Sequence, residues 1–149
     1  MTGALGGLIA SFRAAVSGVA GYFSRGDGFT EVYKWAFPAD TVSTTTSSPV
    51  SMNSHGGFAN PAVAGYFTRS DGNSQIYKWA FPSDSVTTTT SAPTILYNNA
   101  GFANPAVAGY FSVGDSLDWV FKLAFPSDSR TTTTSSPDFM TGHAGFANA

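Results

Sequence analysis

The chain has 149 residues, a net charge of −2 and no cysteine. This length suits one domain that buries roughly 70% of its unfolded surface. The weak charge argues against a nucleic acid or an anionic lipid as the partner, and without thiols there is no disulfide or thiolate metal site. Charged residues are 11% of the chain, against about 25% in a typical domain. Ser, Thr, Asn and Gly carry the solvation instead, which suits a virion or extracellular protein.

Residues 1–17 form a separate N-terminal segment. Its apolar residues recur at helical spacing and would form one stripe, although several glycines weaken a helix there. The segment is too short and too interrupted to span a bilayer, and it lacks the basic start of a secretory signal. We expect an arm that docks on a neighbouring subunit; the alternative is a self-packed terminus. The candidate assembly residues are Leu5, Leu8, Ile9 and Phe12.

From about residue 18 to the end, one 44-residue unit occurs three times. Gly-Tyr-Phe at 21–23 returns at 65–67 and 109–111. A fixed period of this size indicates a propeller, a solenoid or a three-fold closed barrel. It also argues against a single asymmetric catalytic centre, because each local structure is present three times. The units cover about 18–56, 57–100 and 101–144, and 145–149 begins a fourth copy.

Each unit reads as a four-stranded antiparallel sheet. In the second unit the strands are predicted near 57–60, 62–68, 75–81 and 87–90, with Asp-Gly turn chemistry between the middle two. The alternation in the third strand places three aromatic side chains on one face and three flatter ones on the other. Such sheets can nest large face against small face. The two sets are Tyr77, Trp79 and Phe81, and Ile76, Lys78 and Ala80.

The third unit departs from this pattern at one position. Leu123 stands where the other units have Trp35 and Trp79, and Trp119 appears four residues earlier. Because residues 119 and 123 share parity, we expect the aromatic volume to stay on the same face and slide along it.

The ends of the chain are permuted relative to the unit. Gly-Phe-Ala-Asn precedes the second and third Gly-Tyr-Phe strands but not the first, and its last copy is at 145–148. Phe146 and Asn148 are therefore predicted to complete the first sheet. Three blades are too few for a propeller, so we expect closure through oligomerisation, with two chains related by a two-fold axis making six blades. A β-trefoil, which would close as a monomer, is the main alternative; a solenoid or stacked-sheet arrangement is the third.

The succession of Gly-Tyr-Phe, a Gly-containing turn, Ile-Tyr-Lys-Trp, Phe-Pro-Ser-Asp, a Ser/Thr run and Gly-Phe-Ala-Asn resembles kelch-like repeats. It is similar to the degenerate kelch-like arrays in structural proteins of tailed bacteriophages, notably marine and cyanobacterial phages. The double glycine usual after the second kelch strand is replaced here by Ser24-Arg25 and Thr68-Arg69. The resemblance implies an interaction scaffold and carries over no catalytic residue.

The remaining motifs favour structural roles. His55 and His143 occupy equivalent positions with Asn99 between them, and no acidic residue recurs beside them, so we expect polar loop residues and no metal. The recurrent Asp40, Asp84 and Asp128 are expected to make Asx-turn contacts. The recurrent lysines are expected to pair with aspartates; they are Lys34, Lys78 and Lys122.

No arrangement of residues in the sequence indicates catalysis or a cofactor. Arg25-Gly26-Asp27 spells an adhesion tripeptide, but the other units do not repeat it. We therefore expect a non-enzyme, and the first hypothesis is a phage structural protein. The second is a multivalent glycan-binding lectin. Its candidate rings are Tyr33, Trp35, Tyr77, Trp79 and Trp119.

Overall fold

The computed structural model describes residues 20–53, 55–60, 63–69, 73–81, 83–105, 107–114, 117–125, 127–133 and 135–140. The predicted arm at 1–17, with Leu5, Leu8, Ile9 and Phe12, lies outside the described residues. The predicted closing strand at 145–149, with Phe146 and Asn148, also lies outside them.

Within the described residues the fold is all-β and propeller-like, and it consists of three antiparallel sheets in chain order. Hydrogen-bonded strand pairs join neighbours within each sheet and link no two sheets in this part of the chain, as in separate blades rather than a trefoil. The first sheet contains β1 (Ala20–Ser24), β2 (Val32–Ala36) and β3 (Thr41–Thr44). The second contains β4 (Gly57–Asn60), β5 (Ala64–Thr68), β6 (Ile76–Ala80) and β7 (Ser85–Thr88). The third contains β8 (Gly101–Asn104), β9 (Ala108–Ser112), β10 (Val120–Ala124) and β11 (Ser129–Thr132).

The predicted four-stranded unit is confirmed in the second and third sheets, with strand boundaries that shift by one or two residues. The polar strand β7 begins at Ser85, two residues before the predicted start of the threonine run. Asp84, in the left-handed backbone region with φ of 53°, reverses the chain so tightly that pairing resumes at the next residue. Val86 then lies opposite Trp79 on the aromatic face.

The turns follow from residues that accept a left-handed backbone. Gly26, Asp27 and Gly28 have φ of 69°, 51° and 81°, so the predicted Asp-Gly turn is present between β1 and β2. Glycine adopts such angles without a steric penalty, and aspartate accepts them more readily than most residues. The equivalent turn at 70–72 lies outside the described residues.

Successive sheets pack large face against flat face, as the alternation predicted. Phe67, Tyr77 and Trp79 share one face of the second sheet and form a buried cluster with Val32 of the first sheet. The indole Nε1 of Trp79 donates to the carbonyl of Thr46 at 3.1 Å. Burial of these rings supplies the bulk of the stabilisation, because burying one large apolar side chain contributes about 1.5–3 kcal/mol.

The third sheet packs on the second in the same way, but with different side chains. Phe111, Phe121 and Leu123 are buried against the face that carries Tyr66 and Ile76.

The predicted sliding of aromatic volume to Trp119 is wrong. Trp119 precedes β10, is 42% exposed, and contacts Phe121 only edge-on with centroids 6.2 Å apart. Its position before the first paired residue carries it beyond the packed area, so Leu123 alone occupies the buried position.

A phenylalanine from the second sheet occupies the surface of the third. The ring of Phe58 lies directly over Gly109, and a Cβ built at that glycine would overlap it. Tyr66 and Phe111 stack with the same ring at centroid distances of 5.1 and 6.2 Å, so the ring has little room to move aside. Among the described residues, the equivalent Gly65 has only the edge of Phe81 nearby, 3.4 Å from a built Cβ.

We therefore expect Gly109→Ala to lower the free energy of unfolding by about 2–3 kcal/mol, because the methyl group would displace a packed ring. Gly65→Ala is the matched control, and its effect should stay within about 1 kcal/mol. Urea unfolding followed by tryptophan fluorescence measures both. Equal losses for the two variants would contradict this account of the packing.

Candidate functional site: the polar contact between successive sheets

A carboxylate from the second unit is bound by two side chains of the first. Tyr22 and Lys34 lie directly opposite each other on β1 and β2, so their side chains leave the same face of the sheet. The Tyr22 hydroxyl donates to Oδ1 of Asp84 at 2.8 Å, and Lys34 Nζ lies 2.9 Å from its Oδ2. Asp84 belongs to the turn between β6 and β7, so the contact joins one sheet to the next.

The same contact recurs between the second and third sheets. The Tyr66 hydroxyl donates to Oδ1 of Asp128, and Lys78 Nζ donates to its Oδ2, both at 2.8 Å. The phenylalanine of each turn also stacks on the tyrosine it faces. The centroid distances are 4.8 Å for Tyr22 with Phe81 and 5.4 Å for Tyr66 with Phe125.

We call this arrangement, with Tyr, Lys and the Asp of the next unit, the Tyr–Lys–Asp contact. It confirms the expected pairing of Lys34 and Lys78 with recurrent aspartates. The Asx-turn role expected for Asp84 and Asp128 is corrected: their carboxylate oxygens accept from side chains of the preceding unit. The tyrosine hydroxyls were missed, although Tyr, Lys and Asp recur together at fixed spacing.

The environment of the contact keeps its donors protonated. Burial, followed by the hydrogen bond to Asp128, raises the pKa of Tyr66 to about 12. Burial also raises the pKa of Tyr22. Contacts with Tyr22 and Asp84 raise the pKa of Lys34. Burial alone would lower the pKa of Lys78, but its bonds to Asp128 and Tyr66 outweigh this and leave it raised. At neutral pH all four groups can therefore donate to their aspartates.

Backbone conformation explains why aspartate occupies the turn. Asp40, Asp84 and Asp128 have φ of 52°, 53° and 52°. A short polar side chain tolerates this left-handed region better than a bulky one.

We expect Asp128→Asn to lower the free energy of unfolding by about 1–2 kcal/mol, because it removes the charge that binds Lys78. Asparagine accepts the same left-handed backbone, so the change isolates the electrostatic part. Asp27→Asn is the matched control, since Asp27 has φ of 51° and an exposed side chain. Asp84→Asn should match Asp128→Asn. Denaturant unfolding of the variants measures the effect, and a loss as large for Asp27→Asn would overturn it.

The recurrent His/Asn position also has a structural role. The His55 ring is hydrogen-bonded to the Ser24 hydroxyl at the end of β1. In the second unit the equivalent residue is Asn99, whose side-chain Oδ1 accepts a hydrogen bond from the Thr68 hydroxyl. Burial lowers the pKa of His55, and its Nδ1 has no hydrogen-bond partner among the described residues. The ring is therefore held neutral inside the fold.

His55 should make the protein sensitive to acid. Its pKa is lower when folded than the ordinary 6.5, so its contribution is full above that pH and is lost as the pH falls through the folded pKa. We expect the free energy of unfolding to drop between neutral pH and about pH 5. His55→Asn, which copies the second unit, should reduce that drop. Denaturant titrations at both pH values measure it, and an unchanged pH dependence would contradict the assignment.

The candidate glycan-binding rings divide into buried and exposed sets. Tyr77 and Trp79 are buried between the sheets, so neither ring has a face available to a sugar; their proposed binding role is corrected on this ground. Trp35 and Trp119 are exposed and Tyr33 is partly exposed. The structure brings Trp35 and Tyr33 together around Phe23, at centroid distances of 6.4 and 5.5 Å.

No family model matches the chain, and no curated protein is significantly similar to it. In the described part of the chain, no three His, Cys, Asp or Glu side chains gather where they could hold a metal ion. The same residues contain no helix long and apolar enough to cross a membrane.

Proposed function

We propose that the chain is a non-catalytic structural protein of a phage particle, part of its tail, fibre or capsid decoration. The observation that carries this proposal is that the recurrent polar and aromatic side chains make contacts between sheets. The repeated tyrosines, lysines and aspartates bind sheet to sheet, and the repeated aromatic rings fill the space between sheets. Residues that recur for packing indicate a building block.

The resemblance of the unit to kelch-like arrays of tailed phages supports the same proposal. The proposed partners are other virion proteins and further copies of the chain, and the proposed location is the virion or the extracellular space. Residues 1–17 are the proposed attachment arm. The proposal includes no cofactor, no nucleic-acid partner and no membrane insertion.

The test is made on particles of the phage that encodes the chain. We expect quantitative mass spectrometry of gradient-purified particles to find the protein in many copies, and immunogold labelling to place it on their surface. A chain lacking residues 1–17, supplied in trans, should be absent from particles while the full chain supplied in the same way is present. Recovery of the full chain only in the soluble lysate would refute the proposal.

A glycan-binding role is the second candidate, and the exposed Trp35 beside Phe23 favours it. A sugar ring could stack on the exposed face of this indole. Several weak sites of this kind would bind a multivalent glycan more tightly than one site alone. Glycan-array binding that is lost in Trp35→Ala but kept in Trp119→Ala would support this site. Absence of binding to any glycan would remove it.

A further inference from the structure

The contact between sheets has two different sides. We call the face of a sheet that packs on the following sheet its forward side, and the face that packs on the preceding sheet its backward side. The forward side carries the Tyr and Lys of the contact. The backward side carries the bulky aromatic residues and lies next to the turn that holds the Asp. Three sheets in one chain form this contact twice. Within the described part of the chain, the backward side of the first sheet and the forward side of the third are therefore left over.

The leftover backward side is the first sheet's aromatic face. Phe23 is 43% exposed and Trp35 is 37% exposed, whereas their counterparts Phe67 and Trp79 are 7% and 0% exposed. The turn that follows is open as well: Phe37 is 49% exposed, against 9% for the equivalent phenylalanine of the third unit. The exposed carboxylate of Asp40 accepts from the Trp35 indole of its own sheet, at 3.3 Å, and from no other side chain among the described residues.

The leftover forward side is the face of the third sheet that carries Tyr110 and Lys122. These residues lie opposite each other on β9 and β10, as Tyr66 and Lys78 do in the second sheet. No carboxylate among the described residues pairs with Lys122. Val120 is partly exposed, although its counterparts in the first two sheets are completely buried.

A phenylalanine and a glycine complete the match. Phe102 stacks on Tyr110 with ring centroids 5.2 Å apart, just as Phe58 stacks on Tyr66 with centroids 5.1 Å apart. The Phe58 ring also covers Gly109 of the following sheet. The equivalent glycine of the first sheet is less crowded: among the described residues, a Cβ built at Gly21 would meet only the Phe37 ring, at 3.7 Å. As far as the described residues go, the space that a phenylalanine occupies above the third sheet is therefore free above the first.

We propose that a second copy of this chain docks head to tail, with Tyr110 and Lys122 of one copy bound to Asp40 of the other. Phe102 then lies over Gly21 of the second copy, and the first sheet's aromatic face is covered. The charges are complementary, and the contact continues one that the chain already makes twice. This inference rests on the proposed structural role, because it names the partner that the building block would use.

The two surfaces differ, so the contact is directional. A directional contact closes into a ring where the rotation per copy permits, and otherwise extends as an open stack. Two copies in a ring would place six sheets around one axis, and in either form every junction between copies joins Asp40 of one copy to Lys122 of the other.

Site-directed cross-linking tests the direction of docking. The chain has no cysteine, so single cysteines can be placed without background. Ala39 neighbours Asp40, and Thr131 lies opposite Lys122 in the register of β10 and β11; both are exposed. With a flexible bismaleimide, a mixture of Ala39→Cys and Thr131→Cys chains should cross-link, and neither chain should do so alone.

The matched control replaces Ala39→Cys by Asp27→Cys, in the hairpin at the opposite end of the first sheet; it should give no product with Thr131→Cys. Cross-linking of Ala39→Cys chains to each other would show head-to-head docking and overturn the proposal. An equal yield from the Asp27→Cys mixture would overturn it as well.

Sedimentation velocity over a range of concentrations provides the second measurement. The parent should self-associate, and Asp40→Asn or Lys122→Met should weaken association roughly tenfold, because each removes one charge of the pair. Asp27→Asn should leave it unchanged. Circular dichroism checks that each variant is folded. A parent that stays monomeric, or variants that associate like the parent, would refute the proposal.

The result is separable from the test of the structural role. A monomeric chain that still labels the phage particle would refute head-to-tail docking and leave the structural role intact. A chain that docks head to tail but is absent from phage particles would refute the structural role and leave head-to-tail docking intact.

Discussion

The binding of one unit's aspartate by the tyrosine and lysine of the unit before it is the constraint on which the architecture depends. Aromatic burial supplies most of the stabilisation, but it is non-directional and would allow the sheets to slide or rotate. The hydrogen bonds from Tyr22 and Lys34 to the two oxygens of Asp84 fix position and angle together. Because Asp84 lies in a tight turn with little freedom of its own, the second sheet is oriented along with it.

Much of the fold was predictable because its signals are local and repeated. The 44-residue period gave the number of sheets, and the alternation in residues 75–81 gave the face on which Tyr77 and Trp79 are buried. The pairing of lysines with aspartates followed from their recurrence at a fixed spacing. Each of these predictions needs only the period of a strand and the identity of neighbouring units.

The details that failed depend on distances between units, which a sequence period does not contain. Trp119 shares parity with Leu123, yet it lies before the first paired residue of β10 and so falls outside the packed area. The Tyr22 hydroxyl finds its partner only because Asp84 comes from the next unit, so no signal within one unit indicates the bond. The exposure of the aromatic face of the first sheet was likewise not predictable from local sequence. Trp35 and Trp79 have the same sequence neighbours and differ only in whether another described sheet precedes their own.

The direction of the contact has a consequence for how such a gene can change. Each Tyr–Lys–Asp contact joins a tyrosine to an aspartate 62 residues later and a lysine to the same aspartate 50 residues later. Duplication or loss of one whole 44-residue segment preserves both intervals at every remaining junction. Recombination between the repeats can therefore lengthen or shorten the array without a compensating substitution, whereas an insertion of any other size breaks the register of the junction it enters.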